Sequence, residues 1–175
     1  GHIIAKMNSL CDQGIIAALY KASAAGVKID LIVRGICCLK VGIPQVSENI
    51  TVRSIVGNFL EHSRIFYFEN AGNYEVYMGS ADWMPRNLDK RVEIVFPVLE
   101  DDLKEKALHI LKVELEDTVK ARVMDTDGTY AKLDKRGKAV VNSQEVFCME
   151  AKEAVPKENG VDRGRVFVPA EPLEQ

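Results

Sequence analysis

The sequence of 175 residues has no long apolar run, no surplus of positive charge and no paired cysteine motif. No stretch approaches the roughly 20 apolar residues that span a membrane, and no signal-peptide pattern occurs. We therefore expect no transmembrane segment and a cytoplasmic location, with membrane association of a full-length protein left open. The 23 Lys and Arg residues face 26 Asp and Glu residues, for a formal net charge of -3. This balance argues against a general nucleic-acid binder, so an anion site must be local.

The four cysteines give no sign of a metal or disulfide framework. Cys37 and Cys38 are adjacent, which makes them poor disulfide partners, and no CxxC spacing with a matching histidine occurs. A reducing compartment fits this usage, and small buried side chains are a commoner fate for such cysteines than metal or redox chemistry. We predict no metal site built from this chain.

The start of the chain predicts a β-α-β unit. Residues 3–5 form a buried apolar run, Asp12 has the position of a helix N-cap, and Gly26 is suited to end that helix. Residues 27–33 are a second strand-like run, rich in β-branched side chains. The spacing favours parallel strands, whose carboxyl ends form the usual ligand-binding edge of a sheet, and Arg34 falls at that edge.

The rest of the chain is predicted to alternate strands, turns and two further helices. The Asp-Thr-Asp-Gly run at 125–128 lacks the glutamate that a calcium-binding loop requires, so a hairpin is favoured. Gly1 opens directly before a strand, which suggests a fragment of something longer. In order we expect a strand at 50–55, a helical turn at 57–60, strands from His62 and at 74–78, a buried strand at 92–98, an amphipathic helix from Asp101, a hairpin at 121–133, and a short helix that follows Asn142 and reaches Met149.

Phosphate-directed side chains concentrate between residues 61 and 93. His62 and Arg64 lie two apart at the start of a predicted strand, so we expect them to point from the same face. Gly79 and Ser80 break the next strand before a polar loop that ends in Arg86, Asn87, Lys90 and Arg91. If the two strands pair, His62 and the Gly-Ser loop are neighbours. A histidine, arginines and a Gly-Ser loop supply both donors and a proton carrier for a phosphoryl group.

Each of these residues could instead have a purely structural role. A histidine at a strand end is often hydrogen-bonded to the backbone, and arginines at strand ends, such as Arg34 and Arg91, are often held in salt bridges. Trp83 fits either core packing or a platform beside a nucleobase. Three acidic residues could hold the arginines in place: Asp82, Asp89 and Glu93.

Several motifs in order resemble one family. The runs HSR, YMGSADWMPRN and DKRVE, preceded by KMNSL, KIDLIVRGICCL and SENITVRSIVG, resemble the carboxy-terminal catalytic domain of the large bacterial polyphosphate kinases. Those enzymes belong to the phospholipase D-like superfamily. The resemblance covers roughly residues 3–123, and the combination of motifs is specific.

The resemblance implies an α/β fold with a mixed sheet flanked by helices, and reversible transfer of the terminal phosphate of ATP onto inorganic polyphosphate through a phosphohistidine. In that family two halves each give a histidine to one tunnel-like site. His62 matches the second histidine, which donates or accepts a proton and contacts the nucleotide phosphates. Arg34 and Arg91 match ATP-binding positions. The phosphorylated nucleophile belongs to the first half and is absent from this chain. Supporting residues are Arg64, Ser80, Asp82, Arg86 and Asn87.

The same resemblance implies the partners and the domain limits. We expect ATP or ADP, polyphosphate and the N-terminal remainder of the same polypeptide as partners, no nucleic acid, and a homo-oligomer as an open possibility. Mg²⁺ is the expected cofactor, held mainly by the missing part. Residues 1–123 would form the phospholipase D-like domain, residues 124–150 would complete it, and residues 151–175 would be a flexible tail.

Two other functions stay open from the residues. Against the wider superfamily, Arg64 replaces a lysine, Glu69 an aspartate and Asp82 an asparagine, which counts against a homodimeric phospholipase D-type phosphodiesterase or nuclease. A non-catalytic polyanion-binding module is the third hypothesis. Because this chain lacks the nucleophile, we expect the isolated fragment to be inactive as a kinase.

Overall fold

The computed structural model describes residues 1–155, and it confirms the predicted β-α-β start. Strands β1 (His2–Met7) and β2 (Lys28–Val33) run parallel, and helix α1 (Gln13–Ala24) connects them. The Asp12 carboxylate accepts a 2.8 Å hydrogen bond from the backbone N–H of Ile15, as an N-cap does. Gly26 takes a φ of +86°, which explains why glycine follows the helix.

The other strands and helices follow in chain order, and the strands complete one eight-stranded sheet. They are β3 (Ile50–Ile55), β4 (Arg64–Asn70), β5 (Asn73–Gly79), α2 (Pro85–Lys90), β6 (Val95–Pro97), α3 (Asp101–Glu116), β7 (Ala121–Met124), β8 (Tyr130–Lys132) and α4 (Ser143–Ala154). The strand order is β6-β5-β4-β1-β2-β3-β7-β8. The pairs β1 with β2 and β2 with β3 are parallel and the others antiparallel, so the predicted mixed sheet flanked by helices is confirmed.

Hydrophobic cores lie on both faces of the sheet. Alternate residues of β1 divide between them, because Ala5 packs in the core with Leu19 of α1, whereas Ile4 packs in the core with Leu111 of α3. Helix α4 packs against α3, where Phe147 meets the ring of His109 with the two ring centroids 6.5 Å apart. The central strands are therefore covered on both sides, and their ends are left to carry polar groups.

Asp117 fixes the junction of α3, β7 and α4. One of its carboxylate oxygens accepts the backbone N–H groups of Val119, Lys120 and Ala121, and the other accepts the N–H and hydroxyl of Ser143. Asn142 does occupy the N-cap position of α4, but its side chain makes no capping hydrogen bond. Asp117, which lies 26 residues before Ser143, caps the helix instead.

Four local predictions differ from the structure. Residues 57–59 form bends, so the helical turn expected at 57–60 is absent, and the loop expected after Gly79 contains helix α2. The strand expected to be buried at 92–98 is reduced to β6, an edge strand whose three residues are all exposed. Helix α4 continues to Ala154, into the expected tail, and residues 156–175 lie outside the described part of the chain.

Among residues 1–155, no helix has both the length and the apolar character needed to cross a membrane. The cysteines at 11, 37, 38 and 148 are free thiols.

Candidate functional site

A continuous series of hydrogen bonds joins the strand ends that carry Arg34 and His62. Arg34 directly follows β2, and its Nε donates a 2.8 Å hydrogen bond to the side-chain oxygen of Asn8, which follows β1; its Nη2 donates to the same oxygen. The backbone N–H of Asn8 donates to Asp82 at 2.7 Å. Asp82 binds Arg64, and Arg64 donates a 2.7 Å bond to the carbonyl oxygen of His62. We call these five residues the strand-end series.

His62 does not lie on a strand. Strand β4 begins at Arg64, so the expectation that His62 and Arg64 share a strand face is wrong. His62 lies in the connection before the strand, where its backbone carbonyl is held and its side chain is exposed. Within residues 1–155 its ring makes no hydrogen bond, so the backbone-bonded alternative for this histidine is not observed.

Arg64 is committed to Asp82. Its Nε and Nη2 each contact one carboxylate oxygen at 3.0 Å, and the two side chains are 10% and 5% exposed. This bidentate geometry is the strongest arrangement that an arginine and a carboxylate make. Arg64 therefore organises the site and is not a free phosphate ligand.

Arg34 has a neutral partner in place of a carboxylate. The Asn8 amide orients its guanidinium, and no Asp or Glu of residues 1–155 lies within salt-bridge distance of it. The salt-bridge alternative is thus not observed for this residue. A partly buried arginine whose charge is oriented but uncompensated is suited to bind an anion.

A second network fixes the loop from Ser80 to Glu93. The Ser80 hydroxyl donates to the Glu93 carboxylate, and the buried Asn87 amide donates to it at 2.6 Å. These hydrogen bonds lower the pKa of Glu93 below its ordinary value, and the bond from Ser80 has the largest effect. Ser80 also accepts a 3.1 Å bond from the N–H of Ile94. Ser80 and Asn87 consequently shape the loop, because the Ser80 hydroxyl and the Asn87 amide nitrogen are bonded within it.

Arg91 extends from this network toward solvent. Its guanidinium lies 4.0 Å from Glu93 and is 49% exposed, so this ion pair is loose. Arg91 lines an open cavity of about 540 Å³ together with Pro85, Arg86 and Lys90 of α2. Three cationic side chains therefore border one surface depression.

Trp83 takes the first of its two predicted roles, which is packing against the core. Its ring stacks on Phe66 with centroids 5.1 Å apart and an interplanar angle of 9°. Its carbonyl oxygen accepts the backbone N–H groups of Cys11 and Asp12. The residue fastens the 80–84 segment to the end of β1.

Sequence reasoning missed Asn8 as a site residue, and it missed the ion pairs of Lys6. Asn8 follows the buried run of β1 directly, and polar residues at the carboxyl end of a parallel strand are a usable signal. Lys6 interrupts that run, and a lysine within a buried strand needs partners. Both signals were present in KMNSL.

The carboxylates of the site do not form a cation site. Asp82 is saturated by Arg64 and Asn8, and Glu93 by Ser80 and Asn87. In the described part of the chain, no three His, Cys, Asp or Glu side chains converge. The donor set of residues 1–155 does not fit Mg²⁺ by itself.

Comparison with known proteins places this geometry in context. Residues 1–144 match the family described as polyphosphate kinase C-terminal domain 2. The polyphosphate kinase of Lactiplantibacillus plantarum is 52% identical over 155 residues, which are 89% of this chain and 22% of the relative. That of Synechocystis is 61% identical over 130 residues, which are 74% of this chain and 18% of the relative. The chain thus spans about a fifth of the length of these relatives.

Two solved structures share the fold. A polyphosphate kinase from Porphyromonas gingivalis superposes with a TM-score of 0.84 and 44% identity, over 87% of this chain and 24% of that one. NucT from Helicobacter pylori superposes with a TM-score of 0.52 and 15% identity, over 66% of this chain and 79% of that one. The second likeness concerns the fold alone.

Proposed function

This chain belongs to the polyphosphate kinase family as its C-terminal domain 2, and on that premise we propose that it supplies phosphate-binding and proton-transferring side chains to a larger enzyme. The reaction is reversible transfer of the terminal phosphate of ATP onto inorganic polyphosphate. The observation that carries the proposal is the strand-end series. It holds an uncompensated Arg34 and a free His62 ring on one hydrogen-bonded frame.

The proposed roles follow from charge and exposure. Arg34 and Arg91 bind phosphates of ATP or ADP, because a guanidinium matches phosphate oxygens with paired donors. His62 gives or takes a proton at the transferring phosphate and contacts it. Arg64, Ser80, Asp82 and Asn87 keep these groups in place, and Arg86 adds positive charge beside Arg91. A protein catalyses phosphoryl transfer mainly by positioning the reacting groups and by stabilising their charge.

The covalent acceptor and the cation belong to the rest of the polypeptide in this proposal. No second histidine of the required type occurs in the chain, so the nucleophile lies in the N-terminal remainder. Mg²⁺, which would neutralise phosphate charge when bound, is held there too, because Asp82 and Glu93 are already committed. A cytoplasmic location agrees with the free thiols.

Exposed apolar side chains around the site support closure against that remainder. Ile36 follows Arg34 and is 62% exposed, and Val92 follows Arg91 and is fully exposed. Phe59 and Leu60 precede His62 and are 60% and 68% exposed. Apolar groups that surround a polar site in this way mark a contact surface. We propose that residues 1–150 form one domain that presents this surface to the other half.

The full-length protein should incorporate the terminal phosphate of ATP into polyphosphate, and this chain alone should not, because it lacks the nucleophile. Radiolabelled ATP and both proteins test this directly. Hydrolysis of a chromogenic phosphodiester by the chain, without transfer by the full-length protein, would replace the proposal with a phosphodiesterase. Polyphosphate binding that survives loss of both His62 and Arg91 would favour a polyanion-binding module.

Replacing Arg34 with glutamine in the full-length protein should raise the KM for ATP about 10- to 100-fold, since a hydrogen bond to a charged group contributes about 1.5–3 kcal/mol. Steady-state kinetics over a range of ATP concentrations measures this change. Arg122→Gln is the matched control, because Arg122 is exposed on β7. Equal KM values for the two variants would remove Arg34 from the nucleotide site.

A further inference from the structure

A polar cluster centred on the buried side chain of Lys6 contacts the two residues that flank His62. The Lys6 side chain points to the α3 face of the sheet and is 2% exposed. Its ammonium group donates to the Ser63 hydroxyl at 3.0 Å and lies 3.2 Å from Glu61 and 3.4 Å from Glu114. The Ser63 contact is a hydrogen bond, and the two carboxylate contacts are ion pairs. Two of these three contacts are to the residues on either side of His62.

Helix α4 holds the same segment from another side. The Gln144 amide nitrogen donates to the Glu61 carboxylate at 2.7 Å and to the carbonyl oxygen of Phe59 at 2.9 Å. Its side-chain oxygen accepts the N–H of Phe59 at 3.1 Å. Residues 59–63 are thus held to β1 and α4 through the Phe59 backbone and the Glu61 and Ser63 side chains, and Lys6 links this segment to Glu114 of α3. His62 is the exposed residue inside this fastened segment.

The two carboxyl groups of the cluster have pKa values shifted in opposite directions. Burial, only partly offset by the charge of Lys6, raises the pKa of Glu114 to about 8. Burial acts in the same direction on Glu61, but hydrogen bonds from Glu114 and Gln144 hold the pKa of Glu61 below its ordinary value. Near neutral pH the cluster therefore holds one cation, one anion and one neutral acid, and its charges cancel.

Other charged groups approach the cluster without joining it. Lys106 of α3 and Glu150 of α4 line the cavity of about 620 Å³ that adjoins Glu61 and Glu114. Arg53 of β3 donates to the backbone carbonyls of Glu114 and Leu115 and does not reach the carboxyl group. A negative charge on Glu114 consequently acts mainly on Lys6 and Glu61.

We propose that Lys6, Glu61 and Glu114 form a positioning cluster that fixes the backbone of His62 for phosphoryl transfer. Buried ion pairs are a poor source of stability, because desolvation offsets most of their attraction, so a structural purpose alone does not account for this one. A displacement of about 1 Å in a reacting group costs on the order of 10²-fold in rate. The inference rests on the proposed function and adds these three residues to it.

The test uses Glu114→Gln in the full-length protein, with kcat for phosphate transfer measured across pH. In the wild type, Glu114 ionises near pH 8 and brings a second buried anion against Glu61, so kcat should fall about tenfold above that pH. Glutamine cannot ionise, so the variant should lose that fall. Glu116→Gln changes an exposed residue of the same helix and should keep the wild-type profile.

Lys6→Met supplies a second measurement. It removes the cation that holds both neighbours of His62, so kcat should drop at least about tenfold while the KM for ATP stays within about twofold, since Arg34 and Arg91 are untouched. Superimposable pH profiles for Glu114→Gln and the wild type would overturn the positioning role, whether or not Lys6→Met folds. A wild type that transfers no phosphate would instead overturn the proposed function.

Discussion

Replacement of His62 by alanine in the full-length protein should lower kcat for transfer between ATP and polyphosphate by about 10²–10⁴-fold, the usual contribution of a general acid or base. The ring is exposed and makes no hydrogen bond within residues 1–155, while its backbone carbonyl is held by Arg64. The hydrogen bond from Arg64 therefore holds the backbone of this residue and leaves the imidazole free. Initial rates with radiolabelled ATP, in both directions of the reaction, measure the effect.

His109→Ala is the matched control for this experiment. His109 lies on the exposed side of α3 and binds Glu150 at 2.8 Å, remote in sequence from the proposed site. It should keep wild-type kcat. Circular dichroism of each variant separates lost folding from lost chemistry. A folded His62→Ala enzyme with the activity of His109→Ala would remove His62 from the reaction.

Replacement of Asp82 by alanine should lower the free energy of unfolding by about 3–5 kcal/mol, the usual cost of removing one member of a buried ion pair. Asp82 is 4% exposed and accepts from Arg64 through both oxygens. It also accepts the backbone N–H of Asn8. The variant leaves two guanidinium nitrogens of Arg64 and the N–H of Asn8 without their acceptors in a buried place. Urea unfolding followed by circular dichroism measures the loss.

The chain offers a second arginine-aspartate pair for comparison. Arg136 binds Asp134 through two nitrogens, yet both side chains are exposed, at 91% and 58%. Because water competes at the surface, Asp134→Ala should leave the urea midpoint where it is. Equal midpoint shifts for Asp82→Ala and Asp134→Ala would show that burial does not set the strength of the Arg64–Asp82 pair.

The predictions that succeeded depend on local chemistry. Asp12 caps α1 because a carboxylate next to the first turn finds a free N–H whatever the rest of the fold does. Gly26 ends that helix because its φ is positive. The hairpin around residues 125–128 follows in the same way from its turn residues. These features require only neighbours in sequence.

The predictions that failed depend on neighbours in space. The run from Val92 to Val98 is apolar, and an apolar run does not reveal whether a strand is central or lies at the edge. β6 lies at the edge, where it pairs only with β5. The expected position of His62 was wrong because β4 starts two residues later, where pairing with Gly79 begins.

For the candidate site, the sequence predicts candidate residues but not their hydrogen-bond partners. Arg34 is where a parallel β-α-β unit places it, at the carboxyl edge of the sheet. That Arg34 has Asn8 as its partner, and that Arg64 has Asp82, could not be inferred, because both contacts join segments distant in sequence. Lys6 and Glu114 meet only because β1 is central and α3 crosses that face.

The central place of β1 has a consequence for how the domain is assembled. β1 pairs with β2 on one side and with β4 on the other, where His2 opposes Glu69. The strands β4, β5 and β6 are consecutive, and so are β1, β2 and β3, so two locally formed groups of strands meet where β1 pairs with β4, while β3 pairs with β7 from the later part of the chain. Two polypeptides divided in the loop after Ile55 would each carry one side of both pairings, and the rate at which they reassociate on mixing would report on closure of the sheet separately from the formation of either group of strands.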